Sequence, residues 1–205
     1  HGHFTSVGRS RIILNLMAIK NWDEAVAMVK DAAAKAKPGE WILGRGWHQE
    51  KWSSVPEPNI EGFPFHDALS KVSPDNPVML THASGHATFV NAKAMEAAAL
   101  TGKTANPPGG EILKDKAGRP IGLLRETASG LVGRAYDEWR AKKTPEERQA
   151  DARRQIELAV QASLALGSIV WGTVASWTDT RVALIASAIA MMLLMLVNRN
   201  VRVRL

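Results

Sequence analysis

All ten prolines of this 205-residue chain lie between Pro38 and Pro145. Proline lacks a backbone donor and breaks helix interiors and central strands. The chain is therefore divided. Between Pro38 and Pro145 only short elements fit, and Pro56, Pro58, Pro64 and Pro74 make residues 48–76 loop-rich. At Pro145 the constraint ends. Thr144-Pro145-Glu146-Glu147 reads as a helix start, with a hydroxyl cap, proline at the first helical position and glutamate at the third.

Local patterns fill in the rest. Asn21 and Glu24 form a capping-box pattern that opens a helix over 21–37. Trp22, Ala25, Val26, Val29 and Ala33 share one face of it, and Pro38-Gly39 stops it. Trp41-Ile42-Leu43 predicts a short buried strand running into Gly44-Arg45-Gly46-Trp47, and Pro77 to His82 is a second apolar run. Asn91 caps a short helix through Ala99. Beyond the turn cluster at 106–110, a hairpin is expected from Glu111–Asp115 and Ile121–Leu124 around a turn at 116–119. Residues 127–140 read as a helix. The helix from Thr144 is expected to end at Leu166 before Gly167, followed by a strand at Ser168–Ser176, a helix at Arg181–Val197 and a strand at Val201–Leu205. Such alternation implies βαβ units and a parallel sheet. No internal repeat is present.

Composition excludes several classes. Apolar residues make up 45% and charged residues 22%, the balance of a globular protein and not of a disordered chain. Without cysteine there is no disulfide, thiolate metal site or cysteine nucleophile, which fits a reducing compartment and favours the cytoplasm. The net charge of +6 is spread among acids, as in Lys114-Asp115-Lys116 and Glu146-Glu147-Arg148, and forms no basic stripe for nucleic acid. The apolar run 182–197 is shorter than the roughly 18–20 residues of a membrane span, so a buried helix is expected over a membrane-associated one. No Gly-x-Ser-x-Gly elbow supports acyl-enzyme chemistry, and no Gly-x-x-x-x-Gly-Lys-Ser/Thr loop cradles phosphate.

The two ends read as cut: the chain opens on His1-Gly2-His3 and closes on the alternating Val201-Arg202-Val203-Arg204-Leu205. In an extended strand residues i and i+2 face the same way, so His1 and His3 can grip one divalent metal. Chance and a tag remnant also produce such a pair. A free terminus at His1 would instead give a square-planar Cu(II) or Ni(II) chelate with His3.

His1-Gly2-His3-Phe4 resembles the metal-binding H-x-H that ends the first barrel strand of metal-dependent amidohydrolases. Further stretches resemble the amidohydrolase 3 family, which includes N-substituted formamide deformylase-like enzymes. They are Trp41-Ile42-Leu43-Gly44-Arg45-Gly46-Trp47; Asn76-Pro77-Val78 with Ser84-Gly85-His86-Ala87 and Val90-Asn91-Ala92; Gly109-Gly110-Glu111-Ile112-Leu113-Lys114-Asp115; and Gly118-Arg119-Pro120-Ile121-Gly122 through Glu126. The resemblance covers about residues 1–167. Beyond Gly167 the chain departs from the family's Gly-Ile/Val-Thr strand and Asp-Ala-Gly loop.

The resemblance implies an α/β fold, a partial (β/α)8 TIM barrel holding strands 1–3, with a long α+β insertion after the first strand. Residues 1–19 would end the first strand, 20–140 would form the insertion over the barrel mouth, and 141–205 would supply helix 1, strand 2, helix 2 and strand 3. It implies a metal-dependent hydrolase acting on C–N bonds of small amide-like substrates. A divalent metal, zinc by expectation, would activate water, and His1 and His3 would be ligands. The remaining ligands and the proton-shuttling acid would come from later strands. His86 is a candidate substrate-pocket residue, weighed against a loop-holding role. His48 stands where relatives often carry aspartate, and it is weighed against a plain loop histidine. Trp47 is a candidate substrate wall or a packing residue. Glu126 is a candidate catalytic carboxylate or a surface or capping one. His66 and His82 receive no role. Alternatively, the chain alone is a non-catalytic fragment or binding module that self-associates through an open sheet edge, or a membrane-associated protein through 182–197.

Overall fold

The computed structural model describes residues 13–182 and 185–187. Two compact units divide the chain between Gln155 and Ile156. The expected first strand at His1–His3 and the expected last one at Val201–Leu205 lie outside the described residues.

The first unit begins with β1 (Leu14–Asn15), α1 (Trp22–Ala33) and β2 (Ile42–Trp47). A hairpin of β3 (Asn59–Ile60) and β4 (Phe63–Pro64) and a short α2 (Asp67–Val72) occupy the proline-rich stretch. Then come β5 (Val78–His82), β6 (Ala87–Val90), α3 (Ala92–Ala97), β7 (Gly110–Lys114), β8 (Pro120–Glu126) and α4 (Ser129–Ala141). Six strands form one sheet in the order β1-β2-β5-β6-β8-β7. β1, β2 and β5 run parallel, while β6, β8 and β7 pair antiparallel.

Alternation along the strands gives the sheet two apolar faces. Val78, Leu80, Phe89 and Leu123 pack with Trp22 and Val29 of α1 and Leu69 of α2. Their neighbours Val90 and Leu124 join Ala94 and Met95 of α3 and Val132 of α4 on the other face. Each fully buried valine, leucine or phenylalanine among them contributes about 1.5–3 kcal/mol.

Asn91 ties these layers together. It is fully buried. Its Oδ1 accepts from Val78 N and from Ala94 N, both at 2.9 Å, so it caps α3 while anchoring the start of β5. Its Nδ2 donates to Ser73 O and Asn76 O, both at 2.9 Å. Gly122, in the middle of β8, has φ +101°, and a Cβ there would lie 2.6 Å from Val90 O and 2.7 Å from His66 Cβ. Only glycine fits both the conformation and the space.

The last third corrects the sequence expectation. Pro145–Trp177 is one helix, α5, with the division between the units inside it. Its start is the expected capping box: Thr144 N donates to Glu147 Oε2 at 2.8 Å and Glu147 N to Thr144 Oγ1 at 3.2 Å. It does not stop at Gly167, and Ser168–Ser176 is helical instead of a strand. A mid-helix glycine costs about 1 kcal/mol relative to alanine, too little to end a helix alone. A strand at Ser168–Ser176 would need a neighbour for its N–H and C=O groups, whereas a helix pairs them internally. Thr173 Oγ1 donates to Ile169 O at 2.9 Å, the i−4 contact of a helical threonine. Among the described residues no strand follows β8. Of the expected Arg181–Val197 helix, 181–182 and 185–187 are described, and they are helical. No helix of the described residues is long and apolar enough to cross a membrane.

Candidate functional site

Parallel pairing of β2 with β5 puts both C-terminal ends at one edge of the sheet. Antiparallel pairing then brings the start of β6 and the end of β8 to that same edge. Trp47-His48, His82, His86 and Glu126 therefore meet although they are distant in sequence. Ligands of open α/β sheets bind outside such strand ends.

His82 is the buried centre. Its ring centroid lies 4.6 Å from that of Trp47 and 4.7 Å from that of His48. Its Nδ1 receives Ser84 N–H at 3.1 Å and lies 2.8 Å from Ser84 Oγ. The Nε2 atom is buried without a hydrogen-bond partner. Burial lowers the pKa of His82 below its ordinary 6.5, and the nearby His48 and His86 lower it further while Glu50 opposes them.

His86 and Glu126 stand in the open beside it. His86 Nδ1 lies 3.0 Å from Glu126 Oε2, with side chains 71% and 55% exposed. Glu126 N donates to His86 O at 2.8 Å, and His86 N donates to Ser84 Oγ at 3.2 Å. Glu126 holds φ +50°. That left-handed conformation costs a non-glycine residue about 1–2 kcal/mol. The strand thus ends in a strained residue whose carboxylate is aimed at His86.

His48 caps a single turn of 3-10 helix at Gln49–Lys51, its Nδ1 accepting from Glu50 N at 3.3 Å. Trp47 is fully buried, and its indole N–H donates to Leu80 O at 2.8 Å. Trp52, Phe63 and Phe89 surround its ring. It forms the floor beneath the edge and has no surface to offer a ligand. Arg125 does not face the histidines: it bonds Glu111 and Glu61 at 2.7 and 2.6 Å, with its guanidinium over Phe63. His66 bonds Ser70 Oγ at 2.9 Å at the start of α2.

Sequence reasoning thus named four members of the cluster, Trp47, His48, His86 and Glu126, and missed His82 and Ser84 as participants. The signal for His82 was present: Val78, Leu80 and His82 alternate onto the core face, so the strand ends in a buried polar group. His1 and His3, the expected metal ligands, lie outside the described residues. Among the described residues no group of three or more His, Asp or Glu is arranged to hold a metal ion.

A family model described as "Amidohydrolase family" matches residues 1–195. The chain is 36% identical over 132 residues to "Protein LONG AFTER FAR-RED 3" of Arabidopsis thaliana, covering 64% of this chain and 21% of that protein. It is 31% identical over 135 residues to "Putative amidohydrolase YtcJ" of Bacillus subtilis (strain 168), covering 66% and 24%. It is 34% identical over 110 residues to "N-substituted formamide deformylase" of Arthrobacter pascens, covering 54% and 19%. The matches thus span about a fifth to a quarter of these relatives' lengths. Among solved structures, uncharacterized metal-dependent hydrolases from Pyrococcus horikoshii and Pyrococcus furiosus superpose with TM-scores of 0.52 and 0.51. Their sequence identities are 22% and 24%, over 81% of this chain and 28% and 29% of theirs. At that identity the likeness concerns the fold.

Proposed function

The chain belongs to the amidohydrolase family, and from that premise we propose that it is the N-terminal part of a metal-dependent hydrolase cleaving C–N bonds of small amide-like molecules. The family match carries the reading, since it extends over His1-Gly2-His3 as well as the sheet-edge residues. In this reading the described sheet and its helices form the insertion that lies over the mouth of a (β/α)8 barrel.

The donor chemistry fits a divalent metal at His1 and His3. Imidazole nitrogens are preferred zinc ligands, and catalytic zinc sites combine them with further ligands and an open position. His48 and His82 each commit Nδ1 to a backbone N–H, and His86 commits its Nδ1 to Glu126. A metal held by His1 and His3 would supply Lewis acidity, activating water and polarising a carbonyl. His48 and His86 contact the substrate, Trp47 supports them from below, and Glu126 orients His86.

The test is made on a polypeptide of the relatives' full length that carries this segment. Metal content and amide hydrolysis are measured for the native sequence and for His1→Ala and His3→Ala. Both substitutions are expected to lower bound metal and to cut turnover by more than about 100-fold, beyond what loss of a ligand's hydrogen-bond partner costs. A metal-free native protein, or variants that keep full activity, would refute the reading.

A further inference from the structure

The turn between β5 and β6 hangs on one ring nitrogen. His82 Nδ1 accepts from Ser84 N at 3.1 Å and lies 2.8 Å from Ser84 Oγ, and Ser84 Oγ accepts from His86 N at 3.2 Å. A backbone N–H can only donate, so Nδ1 turns a lone pair to Ser84 and the uncharged ring carries its hydrogen on Nε2. Charging the ring therefore means adding hydrogen at Nδ1, where it meets the Ser84 N–H, donor against donor. The Ser84 hydroxyl can rotate to accept it, since its oxygen has two lone pairs and His86 N uses one. The amide has no such freedom. His82 itself is fixed, its backbone paired with Trp47 across β2 and β5 and its ring packed against those of Trp47 and His48. The turn is not: Ser84, Gly85 and His86 are exposed, and a Cβ on Gly85 would meet nothing within 4 Å. His86 precedes Ala87, which pairs with Arg125 in the sheet, so it is held by this turn on one side and by Glu126 on the other.

We propose that His82 is an acid-sensitive switch for the sheet edge: a proton gained from solvent at Nδ1 displaces the Ser84 amide, residues 83–86 swing outward, and His86 parts from Glu126. The groups that face the ring set when this happens. Burial opposes the added charge most, His48 after β2 and His86 before β6 oppose it too, and Glu50, next to His48, favours it. A proton on the exposed His86 acts the other way, since an imidazolium binds the Glu126 carboxylate more strongly. The two histidines of one turn thus answer acid in opposite senses, and the buried one releases what the exposed one holds. The switch requires no metal and no substrate, so it stands apart from the hydrolase reading.

The experiment follows the full 205-residue chain by NMR from about pH 8 to about pH 5, across the ordinary histidine range. As the His82 ring nitrogens titrate, the Ser84 amide is expected to shift with the same midpoint. Its hydrogen exchange, corrected for the intrinsic effect of pH, is expected to quicken about fivefold, the worth of one hydrogen bond. Cross-peaks between the His86 ring and the Glu126 side chain are expected to fade over the same range. The Trp47 indole N–H, bonded to Leu80 O, is expected to stay protected and so to show that the sheet remains folded. His82→Gln keeps a carbonyl that can accept from Ser84 N but takes up no proton, and is expected to abolish the Ser84 transition. His86→Gln removes the other titrating ring of the turn and is expected to leave that transition in place. Should His82→Gln not fold, the native chain decides, by whether the His82 and Ser84 midpoints coincide. A Ser84 amide indifferent to the His82 titration, a transition that survives His82→Gln or vanishes in His86→Gln, persistent His86–Glu126 cross-peaks, or loss of Trp47 protection at the same midpoint would overturn the proposal.

Discussion

Glu126 is bound to His86 twice, by its backbone N–H to the His86 carbonyl at 2.8 Å and by its carboxylate to Nδ1 at 3.0 Å. The first bond is an extension of the β6–β8 ladder. The second is a contact that the ladder places. The sheet therefore does the positioning, and the side-chain pair adds little stability because both partners are largely exposed.

That division predicts a contrast at position 126. Glu126→Gly relieves the left-handed strain while losing the exposed pair, and is expected to leave unfolding stability within about 1 kcal/mol of native. Glu126→Val keeps the strain and adds a branched Cβ, and is expected to destabilise by about 2 kcal/mol. Urea unfolding of both variants measures this. Equal stabilities would show that φ +50° carries no cost here.

Asn91 is expected to be the costliest polar position in the first unit. Asn91→Leu leaves Val78 N, Ala94 N and Ser73 O without their present partner, while Asn76 O keeps its bond from Ser73 Oγ at 2.8 Å. At about 1–3 kcal/mol for each buried group left unpaired, with partial relaxation, the loss is expected to reach about 3–5 kcal/mol. Chemical denaturation reads it, and a loss below about 1 kcal/mol would contradict the tying role.

His82 gives the first unit a pH dependence of known sign. Its folded pKa is lowered below 6.5, so the unfolded chain binds the extra proton first. The contribution of His82 to stability is full above about pH 6.5 and is lost as pH falls from there towards the folded value. His48, Glu50 and His86 act on the same group. Native protein and His82→Gln are compared by denaturation from about pH 8 to about pH 5, on either side of the ordinary histidine value. The native slope in that window is expected to exceed that of the variant, and parallel profiles would contradict the assignment.

Gly167 tests the helix that replaced an expected strand. A Cβ at this position would meet nothing within 4 Å. Gly167→Ala is expected to raise helix stability by about 0.5–1 kcal/mol, seen as greater helicity and a higher melting point by far-UV circular dichroism. A fall in helicity would restore glycine as a terminator.

What was legible in the sequence was local. The Asn21–Glu24 cap is present, with Glu24 N bonded to Asn21 Oδ1 at 2.9 Å. The expected hairpin turn is closed by Asp115 Oδ1, which accepts from Ala117 N and Arg119 N. Thr144 and Glu147 cap reciprocally, as their spacing implied. Short or non-local features were not legible. Helix α2 and strand β6 are too brief to show a period, and each is held by partners distant in sequence. At Ser168–Ser176 the β-branched and aromatic residues indicated a strand, but propensity yields to where the backbone can find partners. For the site, the histidines could be picked out singly. Their convergence could not, because it depends on β5 having a parallel neighbour on one side and an antiparallel one on the other.

That change of strand direction beside β5 has a kinetic consequence. Trp47 reaches its hydrogen-bond partner across 33 residues, and His86 reaches Glu126 across 40. Contacts so far apart close late, after the loop entropy between them has been overcome. The final residue of β8 completes the edge, so a nascent chain arrested before Glu126 already holds all three imidazoles but lacks the carboxylate that faces the third. The His86–Glu126 pair would then mark the moment at which the whole six-stranded sheet has closed.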